Sequence, residues 1–146
     1  MTYFSARDLI IAKHKSDLAT AGLQCRVLPS AGLKHAIEQL QPAPVIFVWH
    51  HADKIPTNDT GYRQSGKRQI VDQIWNSVIA VRNVADTAGA GAQDDADALV
   101  AVLLQLQGHK LSESHGHCYR VPSQFQSAYV NGFGIFPFAF STRIYT

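Results

Sequence analysis

Apolar positions recur along the chain with two periods, and each predicts a different kind of element. Up to Ala21 the helical period holds: Phe4, Ile11 and Leu18 repeat every seven residues, and Leu9 and Ile10 widen the stripe. Ser5 with Asp8 has the spacing of a capping box, with Asp standing in for Glu, so a helix is predicted from Ser5 to Ala21. Gly22 supplies its left-handed stop. The stretch Gln24 to Leu28 predicts a short strand cut by Pro29. Ser30 is placed to cap a second, short helix whose Leu33, Ala36, Ile37 and Leu40 share one face before Pro42 and Pro44. The run Val45 to Trp49 is apolar at every position, as expected of a strand deep in a sheet.

Beyond it, Lys54 to Gly66 is polar and broken by Pro56, Gly61 and Gly66, which predicts a loop. Lys67 to Val84 predicts the longest strand. Val71, Trp75, Ile79 and Val81 share one parity; Ile70, Ile74, Val78 and Ala80 share the other. Only the later half reads as buried on both sides, and the length predicts a bend or bulge near Asn76. Ala85 to Gln93 is an Ala/Gly-rich connector. Asp94, Asp95 and Asp97 then crowd the start of a third helix, where carboxylates suit the positive end of the dipole. Leu99, Val102, Leu103 and Leu106 mark its buried face and Gly108 its end. Strands follow near Tyr119–Val121 and Gln124–Val130, and a last one alternates Phe136, Phe138 and Phe140 with Ile135, Pro137 and Ala139. Pro137 predicts a sheet edge or a bulge there. This order predicts an α+β fold, a mainly antiparallel sheet with about three helices packed on it, with residues 1–146 as one domain.

Composition narrows the function classes. The 146 residues are 46% hydrophobic, enough for a core without disulfides or a structural metal. Only 16% are charged, against about 25% in typical soluble domains, so part of the surface is expected to be covered by a partner or by copies of the chain. A formal net charge of +2 is too small to announce nucleic acid. Two cysteines, Cys25 and Cys118, form no disulfide framework and read as reduced thiols of an intracellular protein. The start lacks the apolar run of a signal peptide. No apolar stretch approaches the ~20 residues of a membrane span, so no membrane partner is expected.

Four groups of residues are candidates for chemistry. His115-Gly-His117-Cys118 with His109 offers zinc-ligand types and supports an alternative reading as a small metal-dependent enzyme. Its spacing matches no standard zinc pattern, and adjacent His117 and Cys118 in a strand would point to opposite faces. His50-His51 with Asp53 places His51 and Asp53 on one face, as a general base and its orienting carboxylate would require, but no nucleophile accompanies them. Gly89-Ala-Gly91-Ala-Gln93 lacks the third glycine of a dinucleotide loop. Lys54, Arg63, Lys67 and Arg68 bracket the mid-chain loop and could meet an acidic partner or phosphates. A nucleic-acid-binding module is a third reading; no Lys/Arg-rich helix supports it.

From Trp75-Asn-Ser-Val78-Ile-Ala-Val81-Arg82 onward the chain resembles the phage tail terminator family. Its members carry a strand of the form Trp-x-x-Val-x-Val-x-Arg, an Ala/Gly-rich connector, and a helix ending in a Leu-x-Gly step, here Leu106-Gln107-Gly108. A final strand of alternating aromatics with a Ser/Thr-rich finish follows, similar to Phe136-Pro-Phe138-Ala-Phe140-Ser-Thr142. The likeness runs from about Gln69 to Tyr145; the N-terminal half matches in element order, and His109 stands where relatives place an aromatic and a proline. The resemblance implies a structural virion protein, a terminator or a related head–tail joining or minor tail component. It would act as a hexameric ring of copies of itself that caps the tail tube, stops its polymerisation and offers the surface for head attachment. The implied partners are the tail tube protein and a head-completion or neck protein, with DNA only passing through. The implied location is the virion tail, and the host cytoplasm during assembly. No cofactor and no catalysis are implied. Within that reading, Lys54, Arg63, Lys67 and Arg68 are expected to dock to the tube or to line the DNA passage.

Overall fold

A computed structural model describes residues 2–40, 43–56, 69–82 and 90–146. Among them the chain forms α1 (Ala6–Ala21), β1 (Arg26–Pro29), α2 (Leu33–Glu38), β2 (Val45–Lys54), β3 (Ile70–Arg82) and α3 (Ala90–Leu103), which tightens into a 3-10 turn at Leu104–Leu106. Then come β4 (Tyr119–Val121), β5 (Ala128–Val130) and β6 (Phe133–Tyr145). The strands make one six-stranded sheet in the order β1-β2-β3-β6-β4, with β5 also paired to β6. Only β1 and β2 run parallel, because the α2 crossover between them returns the chain in the same direction. The other pairs are antiparallel. The fold is α+β with a mostly antiparallel sheet and, among the described residues, three helices packed on it.

Strand alternation divides the core between two faces. One carries Ile46 and Val48, then Trp75, Ile79 and Val81, then Phe136 and Phe140, packed beneath α1 (Ile10, Leu18) and α3 (Leu99, Leu103). The other carries Val45, Phe47, Trp49, Val78, Ala80 and Ile135, packed with Ala36 of α2 and with Phe125. The sheet centre is therefore covered on both faces, which is why Val45–Trp49 is apolar throughout. Burial reaches further along β3 than expected: Val71, Gln73, Ile74 and Trp75 are buried as well as the later half. Gly134 lets α3 approach β6, since a Cβ there would lie 2.7 Å from the Cβ of Ala92.

Several local expectations change. Ser5 makes no cap hydrogen bond, because it already has helical dihedrals and its hydroxyl sits 3.5 Å from Nε2 of His115 instead. Gly22 does end α1, at φ 71°, and Leu23 N–H reaches back to the Leu18 carbonyl. The buried side of α1 is Ala6, Ile10, His14, Asp17 and Leu18, and Phe4 stays outside. α3 begins at Ala90, so the acidic trio lies inside the helix and not at its start. The bulge lies on β2, where the register with β3 slips between His50 and Ala52, while β3 pairs with β6 without interruption. Of the stretch predicted from Gln124 to Val130, only Ala128–Val130 is strand.

One proline faces outward on the edge strand β1, and another fills a gap on β6 between β4 and β5. In β1 the N–H groups of Arg26 and Ser30 point to β2, so by alternation Val27 and Pro29 face outward, and Pro29 has no N–H to offer. At the other side, Asn131 and Gly132 (φ 51° and 80°) close a two-residue hairpin between Val130 and Phe133. The closing pair of such a hairpin exchanges both bonds, so Phe133, Ile135 and Pro137 are the β6 residues turned outward. β5 covers 133–135 and β4 covers 139–141, and Pro137 occupies the gap between them. That is how a proline fits a strand whose opposite side is fully paired.

Candidate functional site

Chain direction gathers the polar chemistry at one end of the sheet, where β2 finishes at Lys54, β3 begins at Ile70, β6 finishes at Tyr145 and α1 begins. On the helix-bearing face, Asp53 accepts a hydrogen bond from the Tyr3 hydroxyl at 2.6 Å and one from His50 Nε2 at 2.7 Å. A carboxylate can only accept, so Nε2 carries the proton. Gln73, fully buried, donates from Nε2 to the Tyr3 carbonyl (2.9 Å) and accepts from Trp75 Nε1 (3.3 Å). Phe4 packs edge-on against His50 at 5.2 Å and Trp75 at 6.5 Å. The hydrogen bond to Asp53 raises the Tyr3 pKa and so keeps the phenol a donor.

The bulge decides which histidine meets the carboxylate. In a regular strand His51 and Asp53 share a face, as the sequence predicts. His51 is the extra residue opposite Trp75 and Ile74, so the parity shifts and His50 and Asp53 come together instead. Both carboxylate oxygens are occupied, and no hydroxyl or thiol is bonded to His50 among the described residues. The arrangement fastens the N-terminal turn to β2 and does not set up a nucleophile.

On the opposite face, Lys54, Asp72 and Arg143 stand in one row across β2, β3 and β6. Arg143 grips Asp72 with two bonds, Nε to Oδ1 at 2.8 Å and Nη2 to Oδ2 at 3.1 Å. They line an open cleft of about 480 Å³ together with Gly116, His117, Tyr119, Val121 and Ser141. Lys54 is exposed at the strand end. Arg63, Lys67 and Arg68 lie outside the described residues, as do 83–89 of the expected connector, whereas Gly91 to Gln93 are helical.

The histidine–cysteine group is dispersed. His115 is buried, with Nδ1 2.6 Å from the Ser112 hydroxyl. His117 is exposed at the cleft. Cys118 belongs to the core on the helix-bearing face, and burial raises its pKa to about 11. His109 carries a pKa lowered first by burial and then by Lys13. Among the described residues no three His, Cys, Asp or Glu side chains are placed to hold a metal ion. The metal-enzyme alternative loses its ligand set because strand alternation sends His117 and Cys118 to opposite sides.

Sequence reasoning missed three features: the Tyr3 fastening, the Asp72–Arg143 pair and the buried polar set His14, Gln73, Asn76 and Ser77. The first two depend on register. The Asn131-Gly132 dipeptide was a readable hairpin signal for the β5–β6 pairing. A family model described as phage tail terminator protein matches residues 1–146. No curated protein matches the chain.

Proposed function

The chain belongs to the phage tail terminator family, and on that premise we propose that it caps the tail tube as a hexameric ring, ends tube polymerisation and presents the surface on which the head is joined. The match along residues 1–146 is the observation that carries this reading. We read those residues as one domain that works through shape, without cofactor or catalysis, in the virion tail and beforehand in the host cytoplasm. Its partners are other copies of itself, the tail tube protein and a head-completion or neck protein.

Two structural features support the reading. An element that stops growth should not offer a strand for the next molecule to extend, and Pro29, at an outward position of the edge strand β1, withholds a donor there. The end of the sheet bearing Lys54, Asp72 and Arg143 offers a charged rim continuous in sequence with Arg63, Lys67 and Arg68. In this reading the rim docks to the tube or lines the DNA passage. Electron microscopy of purified protein mixed with tail tubes tests it: rings found only at tube ends support termination, and rings along the tube, or none, refute it. Reversing Arg63 and Arg68 to Glu should abolish capping while circular dichroism stays unchanged; undiminished capping removes the rim from the docking role.

A further inference from the structure

The turn that leads into α1 crosses the end of the helix-bearing face and is closed by the Ser5 N–H on the Thr2 carbonyl at 3.2 Å. Two kinds of tie hold it there, and the first is apolar cover. The Phe4 ring stands edge-on to His50 and Trp75 and to the Tyr3 ring, 5.0 Å away. Yet Tyr3 keeps 37% of its surface in water and Phe4 52%, whereas Ala6, where α1 begins, is fully buried. Burial becomes complete only at the start of the helix. The hydrophobic effect scales with the apolar area removed from water, so it holds the turn far less firmly than the helix.

The second tie is polar, and on the surface it converges on one carboxylate. Asp53 accepts from the Tyr3 hydroxyl on Oδ2 and from His50 Nε2 on Oδ1, and both bonds are exposed. Underneath, Gln73 and Trp75 are buried, and their bonds run in series. The indole Nε1 donates to Gln73 Oε1, and Gln73 Nε2 donates to the Tyr3 carbonyl. The turn therefore lids a polar chain that starts inside the core. The start of the helix adds no lock, because Ser5 already has helical dihedrals and makes no cap bond. A backbone bond from the Arg7 N–H to the Phe4 carbonyl, 3.1 Å, leads into the helix, and Arg7 is exposed, so water can replace it.

We propose that residues 2–4 are a releasable strap, hinged at Ser5 and latched by the Tyr3 hydroxyl on Asp53, which opens while α1 and the sheet stay folded. A segment with little buried apolar area and with exposed hydrogen bonds opens locally, at a lower free energy than global unfolding. Opening bares the Gln73 carboxamide, the Trp75 indole and the His50–Asp53 pair beside the strand end that carries Lys54. Water then takes the place of the Tyr3 carbonyl on Gln73, so no buried group is left unpaired. Shut, the strap occupies those groups itself, as an autoinhibitory contact does. The device needs no second molecule, so it stands or falls apart from the ring reading above.

Hydrogen exchange followed by NMR on the full chain tests the strap, with the Trp75 indole N–H as the reporter beneath it. The same spectra hold two references: the backbone amide of Ile79, midway along β3 between paired strands, and the Trp49 indole on the opposite face. In the wild type the Trp75 indole should be protected about tenfold less, or weaker still, than the Ile79 amide. Its rate should not change in low urea, which speeds Ile79. Tyr3→Phe removes the hydroxyl but keeps the ring and the Gln73 bond. It should speed Trp75 indole exchange by about threefold to tenfold and leave Ile79 and the Trp49 indole unchanged. Phe4→Ala, which removes the ring cover, should act in the same direction. A Trp75 indole protected as strongly as Ile79, with the same urea dependence, overturns the proposal. So does an indole whose rate ignores both substitutions in folded variants.

Discussion

Replacing His14 by glutamine should remove an acid-sensitive step from the stability of this protein. His14 is fully buried in α1, with Nε2 3.0 Å from Ser77 Oγ and with Nδ1 unpartnered. Burial pushes its pKa from 6.5 down to about 4; the Asp17 carboxylate opposes the shift and the Lys13 ammonium adds to it. The unfolded chain takes up a proton near pH 6.5, whereas the folded chain resists until about pH 4. Stability contributed by the neutral imidazole is therefore complete above pH 6.5, declines as the pH falls, and is gone below about 4. At pH 5 the two binding polynomials differ by a factor of about 30, or about 2 kcal/mol. Between the extremes the loss approaches about 3 kcal/mol.

Glutamine keeps a side-chain donor within reach of Ser77 and cannot titrate. Its cost in packing should be the same at every pH, so the informative quantity is a difference of differences. Urea unfolding at pH 7.5 and pH 5.0 gives four free energies. Wild type should lose about 2 kcal/mol more than His14→Gln between the two conditions. His109 and His115, whose pKa values burial also lowers, titrate in both proteins and cancel. Equal losses in the two proteins would refute the reasoning, because they would mean that His14 is solvated or already charged in the native state.

Two other substitutions probe packing. Gly134→Ala should destabilise by about 1–3 kcal/mol in thermal unfolding, since the new methyl meets Ala92 at 2.7 Å and the Phe136 ring at 3.1 Å; adding Ala92→Gly should recover part of the loss. Asn76 is buried with neither carboxamide atom hydrogen-bonded, so Asn76→Leu should be neutral or stabilising by about 1 kcal/mol in urea unfolding, and a loss beyond about 1 kcal/mol would show that the amide has a partner.

Element type was legible wherever one period dominated. The continuous apolar run Val45–Trp49 and the Phe alternation of the last strand rest on burial of both faces or of one, which composition along the chain records directly; the stripe Phe4, Ile11 and Leu18 predicted the first helix but not its buried face, which runs through Ala6, Ile10, His14, Asp17 and Leu18. What escaped depends on neighbours distant in sequence. Nothing in His50-His51-Ala52-Asp53 announces that one residue will bulge, because the slip is set by pairing against Trp75 and Ile74. Ser5 carries the sequence of a cap, yet tertiary contact with His115, far along the chain, claims its hydroxyl. The buried start of β3 misled because Asp72 and Gln73 read as solvent-facing; one is spent on Arg143 and the other on the Tyr3 carbonyl and Trp75. Polar residues satisfied over long range look the same in sequence as polar residues facing water.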